Sequence, residues 1–178
     1  GNYSLEITNN GTQQITAHGW LYSQGVQTTL QNGDNEYIVG SPGNASNAIT
    51  VASYMGRPSW YSTGAYSTTT PQESISSFSS QGPRVDGVQK PDIAGSGQNV
   101  ISSRSSNSAP AATDIISGTN YYVKNQGTSM SSPGVAGAVG LLLQANPSLT
   151  AAQVKARLTA NARMDGATGV VPNMRWGY

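Results

Sequence analysis

The residues with the clearest capacity for chemistry lie in one run, Gly127-Thr128-Ser129-Met130-Ser131-Ser132-Pro133-Gly134-Val135-Ala136-Gly137. A glycine that permits close approach is followed two residues later by a serine at the start of an apolar helical pattern. A helix N-terminus leaves its first N–H groups unpaired and carries a partial positive charge. A hydroxyl exposed there suits attack on a carbonyl carbon, and the backbone N–H of the same serine can face the oxyanion that forms. Pro133 fits a first helical turn, where N–H groups have no intrahelical acceptor. On helix physics alone the plainer reading comes first, Ser129 as an N-cap.

A serine hydroxyl becomes a good nucleophile only beside a base, commonly an imidazole oriented by a carboxylate. The sole histidine is His18, and no aspartate precedes it. In Ala17-His18-Gly19-Trp20 it occupies an alternating, strand-like position, where a lone histidine is ordinarily structural or on the surface. His18 is not assigned as the general base.

The elements behind Ser129 follow from periodicity. A helix is predicted from about Ser129 to Gln144, with Val135, Val139, Leu142 and Leu143 on one face and Ala136, Gly137 and Gly140 permitting close packing. A second begins at the capping box Thr150-Ala151-Ala152-Gln153 and carries Val154 and Leu158, with Asn146-Pro147 separating the two. Ala48-Ile49-Thr50-Val51-Ala52 is a short β-branched run of the kind buried on both faces of a parallel sheet. Pro91-Asp92-Ile93-Ala94 and Asn99-Val100-Ile101-Ser102 are further strand candidates, whereas 54–82 and 103–120 read as exposed loops. Residues 1–40 differ in character. Tyr3, Leu5 and Ile7 alternate with polar residues, Asn9-Asn10-Gly11 supplies a turn, and Ile15, Ala17 and Gly19-Trp20-Leu21-Tyr22 resume an extended pattern. That predicts antiparallel strands and a hairpin. No Lys or Arg precedes Arg57, a composition shift that places a boundary near Gly40-Ser41-Pro42.

The bulk composition narrows the function classes. The 178 residues carry a net charge of +1 with 10% charged side chains, the basic ones scattered, which argues against nucleic acid and anionic membrane surfaces as partners. No apolar run approaches the roughly 18 residues of a membrane span. The opening residues lack the pattern of a signal peptide. With no cysteine, disulfides, thiolate zinc sites and cysteine nucleophiles are excluded.

The run around Ser129 resembles the active-site serine signature of the subtilases, Gly-Thr-Ser-Met-(Ala/Ser)-x-Pro-x-Val-Ala-Gly. The likeness continues through Ala138 to Gln144 and Asn146-Pro147-Ser148-Leu149-Thr150. Upstream, Ser79-Ser80-Gln81-Gly82-Pro83, Lys90-Pro91-Asp92-Ile93, and Pro42-Gly43-Asn44-Ala45 with Asn47-Ala48-Ile49-Thr50-Val51 are similar to ordered family segments, as is Arg175-Trp176-Gly177-Tyr178 at the end. This resemblance implies an α/β fold: the C-terminal part of a subtilisin-like three-layer parallel sheet over 41–178. Residues 1–40 resemble the end of a β-rich, sandwich- or jelly-roll-like insertion. Ser129 maps onto the nucleophile and its N–H onto half of the oxyanion hole, with Gly127, Thr128, Met130 and Pro133 as supporting positions. Asp92 falls on a structural position, not on the triad acid. Asn32, in Gln31-Asn32-Gly33-Asp34, is better explained as a turn than as the oxyanion asparagine. Ala94-Gly95-Ser96-Gly97 stands where the family commonly has Ala-Pro-Gly, so a different turn is expected after that strand, and Ser131 is a known variation on alanine.

Subtilases order their triad Asp, His, Ser along the chain, and here only the serine is matched. The resemblance therefore implies the C-terminal segment of a serine endopeptidase acting on polypeptides, inert or nearly so alone. It would be a truncated piece or a processing product, partnered by the N-terminal part of the same protease or by itself. The alternative is a non-catalytic subtilase-like scaffold or binding module. A separate binding role for 1–40 is weakened by physics, since two or three strands do not stand alone. Secretion or bacterial cell-surface display is implied by resemblance. Calcium is also compatible with it, but no carboxylate cluster has ligand spacing and no metal site is assigned.

Overall fold

The computed structural model describes residues 3–21, 29–68 and 71–178. The chain divides into two compact units, Gly1–Asp34 and Asn35–Tyr178.

The larger unit is mixed α/β. Its strands are β1 (Val51–Met55), β2 (Ser59–Ser62), β3 (Ala65–Thr68), β4 (Ile93–Gln98), β5 (Val100–Ser103) and β6 (Tyr122–Asn125), followed by helices α1 (Thr128–Ala145) and α2 (Ala151–Ala160). β1 and β4 run parallel from the pair Val51–Ile93, with an irregularity at Tyr54/Met55. β2 pairs with β3, and β5 with β6, both antiparallel. α1 packs across β4 and β1. Ala52, Met55, Trp60, Val154 and Trp176 form the buried apolar set.

Two glycines on β4 let α1 come close. A Cβ on Gly97 would stand 2.5 Å from Ser53 Oγ and 2.7 Å from the Gly127 carbonyl, and one on Gly95 would stand 3.1 Å from the Ser131 carbonyl. Packing against the sheet is therefore tightest at the first turn of α1. Gly137 and Gly140, expected to permit close approach, are exposed, and a Cβ on either meets nothing within 4 Å. Leu141 is likewise 68% exposed.

Both helices form where periodicity places them, and the capping box is complete: Thr150 Oγ1 accepts from the Gln153 amide while Gln153 Oε1 accepts from the Thr150 amide. The strands are shifted. β1 starts at Val51, not Ala48, and β4 at Ile93, not Pro91, because the preceding residues engage Asp92. The Thr50 amide donates to Asp92 Oδ2 at 2.8 Å, and the Asp92 amide donates to the Thr50 carbonyl. No turn interrupts 94–97, as β4 continues through both glycines. Beyond it Asn99, at φ 58°, redirects the chain into β5.

Residues 54–82 are not all loop. β2 and β3 close a hairpin through Thr63 and Gly64, both at positive φ (51° and 79°), as a twisted two-residue turn requires. The 103–120 segment holds a short 3₁₀ turn at Ala112–Asp114, and Trp60 Nε1 donates to the Thr113 carbonyl at 2.8 Å.

In the smaller unit the antiparallel strands expected over 1–40 do not form among the described residues, and Tyr22 lies outside them. The Asn9 turn does form: Asn9 Oδ1 accepts from the Gly11 amide at 2.8 Å and Asn9 Nδ2 donates to the Gln13 carbonyl at 2.7 Å. Tyr3 and Leu5 are 98% and 87% exposed. Alternation alone does not make a strand when no neighbour completes the ladder.

Candidate functional site

Ser129 is the second residue of α1, and the N-cap is Gly127. No side chain caps this helix, so the cap role that helix physics alone favours for Ser129 is not the one it plays. Gly127 adopts φ 147°, ψ 160°, a region essentially confined to glycine. Space is not the constraint there, since the nearest atom to a Cβ is Met130 Sδ at 3.6 Å.

The first turn is anchored by backbone. The Gly127 amide donates to the Gly97 carbonyl on β4 at 2.8 Å, and the Met130 amide to the Gly127 carbonyl at 2.9 Å. Ser131, fully buried against the β4 glycines, donates its hydroxyl to the Thr128 carbonyl at 3.0 Å. Thr128 and Ser129 remain exposed, and Met130 is half-buried. Among the described residues Ser129 Oγ has no hydrogen-bond partner, and its N–H belongs to the first-turn group without an intrahelical acceptor. Pro133 lies deeper than expected, at the sixth residue of α1, where it withholds the N–H that would otherwise bond the Ser129 carbonyl.

Ser129 opens on a cleft of about 390 Å³ whose walls include Thr128, Ser132, Thr50, Val39, Gly40 and Pro91. Among the described residues no charged side chain lines it. Thr50, Pro91 and Thr128 belong to segments that the sequence singles out, whereas Val39 and Gly40 carry no motif of their own and only the structure places them on this wall.

Behind the wall lies a buried ionic cluster. Asp92 Oδ2 is 2.7 Å from Lys90 Nζ and Asp92 Oδ1 is 2.5 Å from Lys155 Nζ on α2, while Lys90 Nζ also donates to the Ala48 carbonyl at 2.8 Å. Lys90 and Asp92 have 0% and 2% of their surface exposed. Burial, the largest influence, pushes the Asp92 carboxyl up. Hydrogen bonds from Lys155, Lys90 and the Thr50 amide together hold it below the ordinary carboxylate value. Both carboxylate oxygens are engaged, Oδ1 by Lys155 and Oδ2 by Lys90 and the Thr50 amide, the partners expected of a structural role.

His18 stacks on Trp20 in the smaller unit at 6.0 Å between ring centroids, and the larger unit contains no histidine. Asn32 sits in an exposed turn of the smaller unit at φ 61°. Among the described residues no group of three or more His, Cys, Asp or Glu is arranged to hold a metal ion, and no step is assigned to one. Nor is any helix among them long and apolar enough to cross a membrane.

Comparison with known proteins extends this picture. The family model described as "Subtilase family" matches residues 3–177. The chain is 36% identical over 126 residues to serine protease AprX of Bacillus subtilis (strain 168), a match covering 70% of this chain and 26% of AprX. It is 37% identical over 108 residues to the minor extracellular protease Vpr of the same organism, covering 59% of this chain and 12% of Vpr. Among solved structures, a cold adapted subtilisin-like serine proteinase aligns with 27% identity and a TM-score of 0.45, over 78% of this chain and 39% of that one. The chain thus spans only a minor part of each.

Proposed function

This chain belongs to the subtilase family, and on that premise we propose that it carries the nucleophile of a serine endopeptidase, Ser129. The observation that supports the reading is the exposed hydroxyl at the glycine-capped mouth of α1, opening on an uncharged cleft. In the reaction Ser129 Oγ attacks a peptide carbonyl bound along the cleft, giving an acyl-enzyme. The negative charge on the carbonyl oxygen is met by the Ser129 N–H and the positive end of α1. The proton leaves to an imidazole supplied by polypeptide other than residues 35–178. Without that base, loss of turnover is on the order of 10⁴ to 10⁶. The substrates are polypeptides, and secretion is part of the same proposal, supported by the word "extracellular" in the name of one relative.

Treating the active parent protease with a fluorophosphonate and mapping the adduct tests the assignment. A phosphonylated Ser129 peptide is expected, with Ser129→Ala abolishing it. An active preparation labelled at another residue would overturn it.

The alternative reading is a non-catalytic scaffold that keeps the subtilase-like fold. No adduct, together with no peptidase activity in the whole protein, would favour it.

A further inference from the structure

The two Asn-Gly pairs of the smaller unit, Asn10-Gly11 and Asn32-Gly33, have no part in the chemistry proposed for Ser129. Both lie in exposed turns among the described residues. Asn-Gly is the dipeptide at which the following amide nitrogen most readily reaches the asparagine side chain, because glycine places no Cβ in its way.

The backbone treats the two pairs differently. The Gly11 amide is held by Asn9 Oδ1 at 2.8 Å, and Asn9 is itself fixed by the Gln13 carbonyl. The Gly33 amide has only the Leu30 carbonyl at 3.4 Å, beyond the usual length of a good N–H···O bond. To act as a nucleophile the amide must shed its proton and turn toward the side-chain carbonyl, which means giving up its acceptor. That costs more at Gly11 than at Gly33.

We propose that Asn32 is a site of spontaneous modification, converting to aspartate and isoaspartate ahead of Asn10. The Gly33 nitrogen bonds to Asn32 Cγ and the Cγ–NH₂ bond breaks. Ammonia departs carrying the amide proton, leaving a cyclic imide. Water then opens the ring at either carbonyl, giving aspartate or, with the chain rerouted through Cβ, isoaspartate. Either product adds one negative charge to a stretch that already carries Asp34 and Glu36 and has no Lys or Arg before Arg57. The isoaspartyl form also lengthens the backbone by one methylene close to the boundary between the two units at 34 and 35.

The test is to incubate the full 178-residue chain in mildly alkaline buffer, natively and in strong denaturant, and to follow both Asn-Gly peptides by mass spectrometry, with isoaspartate scored by methyltransferase labelling. Natively, Asn32 should convert roughly fivefold faster than Asn10, the ratio that about 1 kcal/mol of net hydrogen bonding corresponds to. In denaturant the two rates should converge. Asn32→Gln should remove the fast phase and leave Asn10 unchanged. Equal native rates, faster conversion at Asn10, or stability of both pairs would overturn the inference.

Discussion

The Lys90 ammonium and the Asp92 carboxylate lie 2.7 Å apart with almost no exposure to solvent, two residues from each other along the chain and on either side of Pro91, which lines the Ser129 cleft. Pairing makes that burial tolerable, and removing one partner leaves the other charge stranded. Asp92→Asn should therefore destabilise the protein by about 3–5 kcal/mol, measured by urea unfolding. A loss well under 1 kcal/mol would show the cluster to be dispensable.

The same group sets an acid response. Asp92 is held below its ordinary value of 3.8, so the folded state binds its proton less readily than the unfolded chain. Its contribution is present above the unfolded value and is lost as pH falls through 3.8 toward the lower folded value. Asp86 and Asp165 shift the same way, but Asp86 is exposed and Asp165 only half-buried. Unfolding free energy followed below pH 4 should thus fall less steeply in Asp92→Asn than in the parent. Parallel slopes would place the acid sensitivity elsewhere.

Gly97→Ala puts a methyl 2.5 Å from Ser53 Oγ and 2.7 Å from the Gly127 carbonyl. Overpacking of this kind costs about 1–3 kcal/mol. Because the clash falls on the residue that caps α1, fluorophosphonate labelling of Ser129 in the parent enzyme should slow as well. Unchanged labelling would separate the serine from this contact.

Gly40 lines the cleft, and a Cβ added there meets nothing within 4 Å. Gly40→Leu should therefore fold normally while narrowing the cleft. Small probes should still label Ser129, whereas kcat/KM for substrates with bulky side chains next to the scissile bond should fall tenfold or more relative to small ones, about 1.4 kcal/mol. An unaltered ratio would remove Gly40 from the substrate wall.

α1 shows Ala136, Gly137, Gly140 and Leu141 to solvent. An apolar helix side of this kind is ordinarily covered. The isolated chain should self-associate at micromolar concentration, and a monodisperse monomer in sedimentation would contradict that.

Much of the site was legible from residues. The capping box and the apolar period located both helices, and the glycine-flanked serine located the mouth of α1. The β2–β3 hairpin was not, because Ser59, Ser62 and Ser67 look like loop composition. Its aromatic residues, Trp60, Tyr61 and Tyr66, and its Thr-Gly turn were the signals to weigh. Strand limits shifted because the Asp92 side chain takes the Thr50 amide, a bond between residues 42 positions apart that no local pattern contains. In the smaller unit the reverse held: a clear alternation formed no ladder among the described residues.

The bond from Gly127 to Gly97 joins main chain to main chain, between two residues that have no side chains to vary. The cleft outline, by contrast, is drawn by replaceable groups such as Val39, Ile49 and Thr50. If Ser129 is the nucleophile proposed above, reactivity and selectivity are under separate control. Substitutions could then redraw what the cleft admits while the hydroxyl keeps its station, so the scaffold could drift toward new substrates without first losing its chemistry.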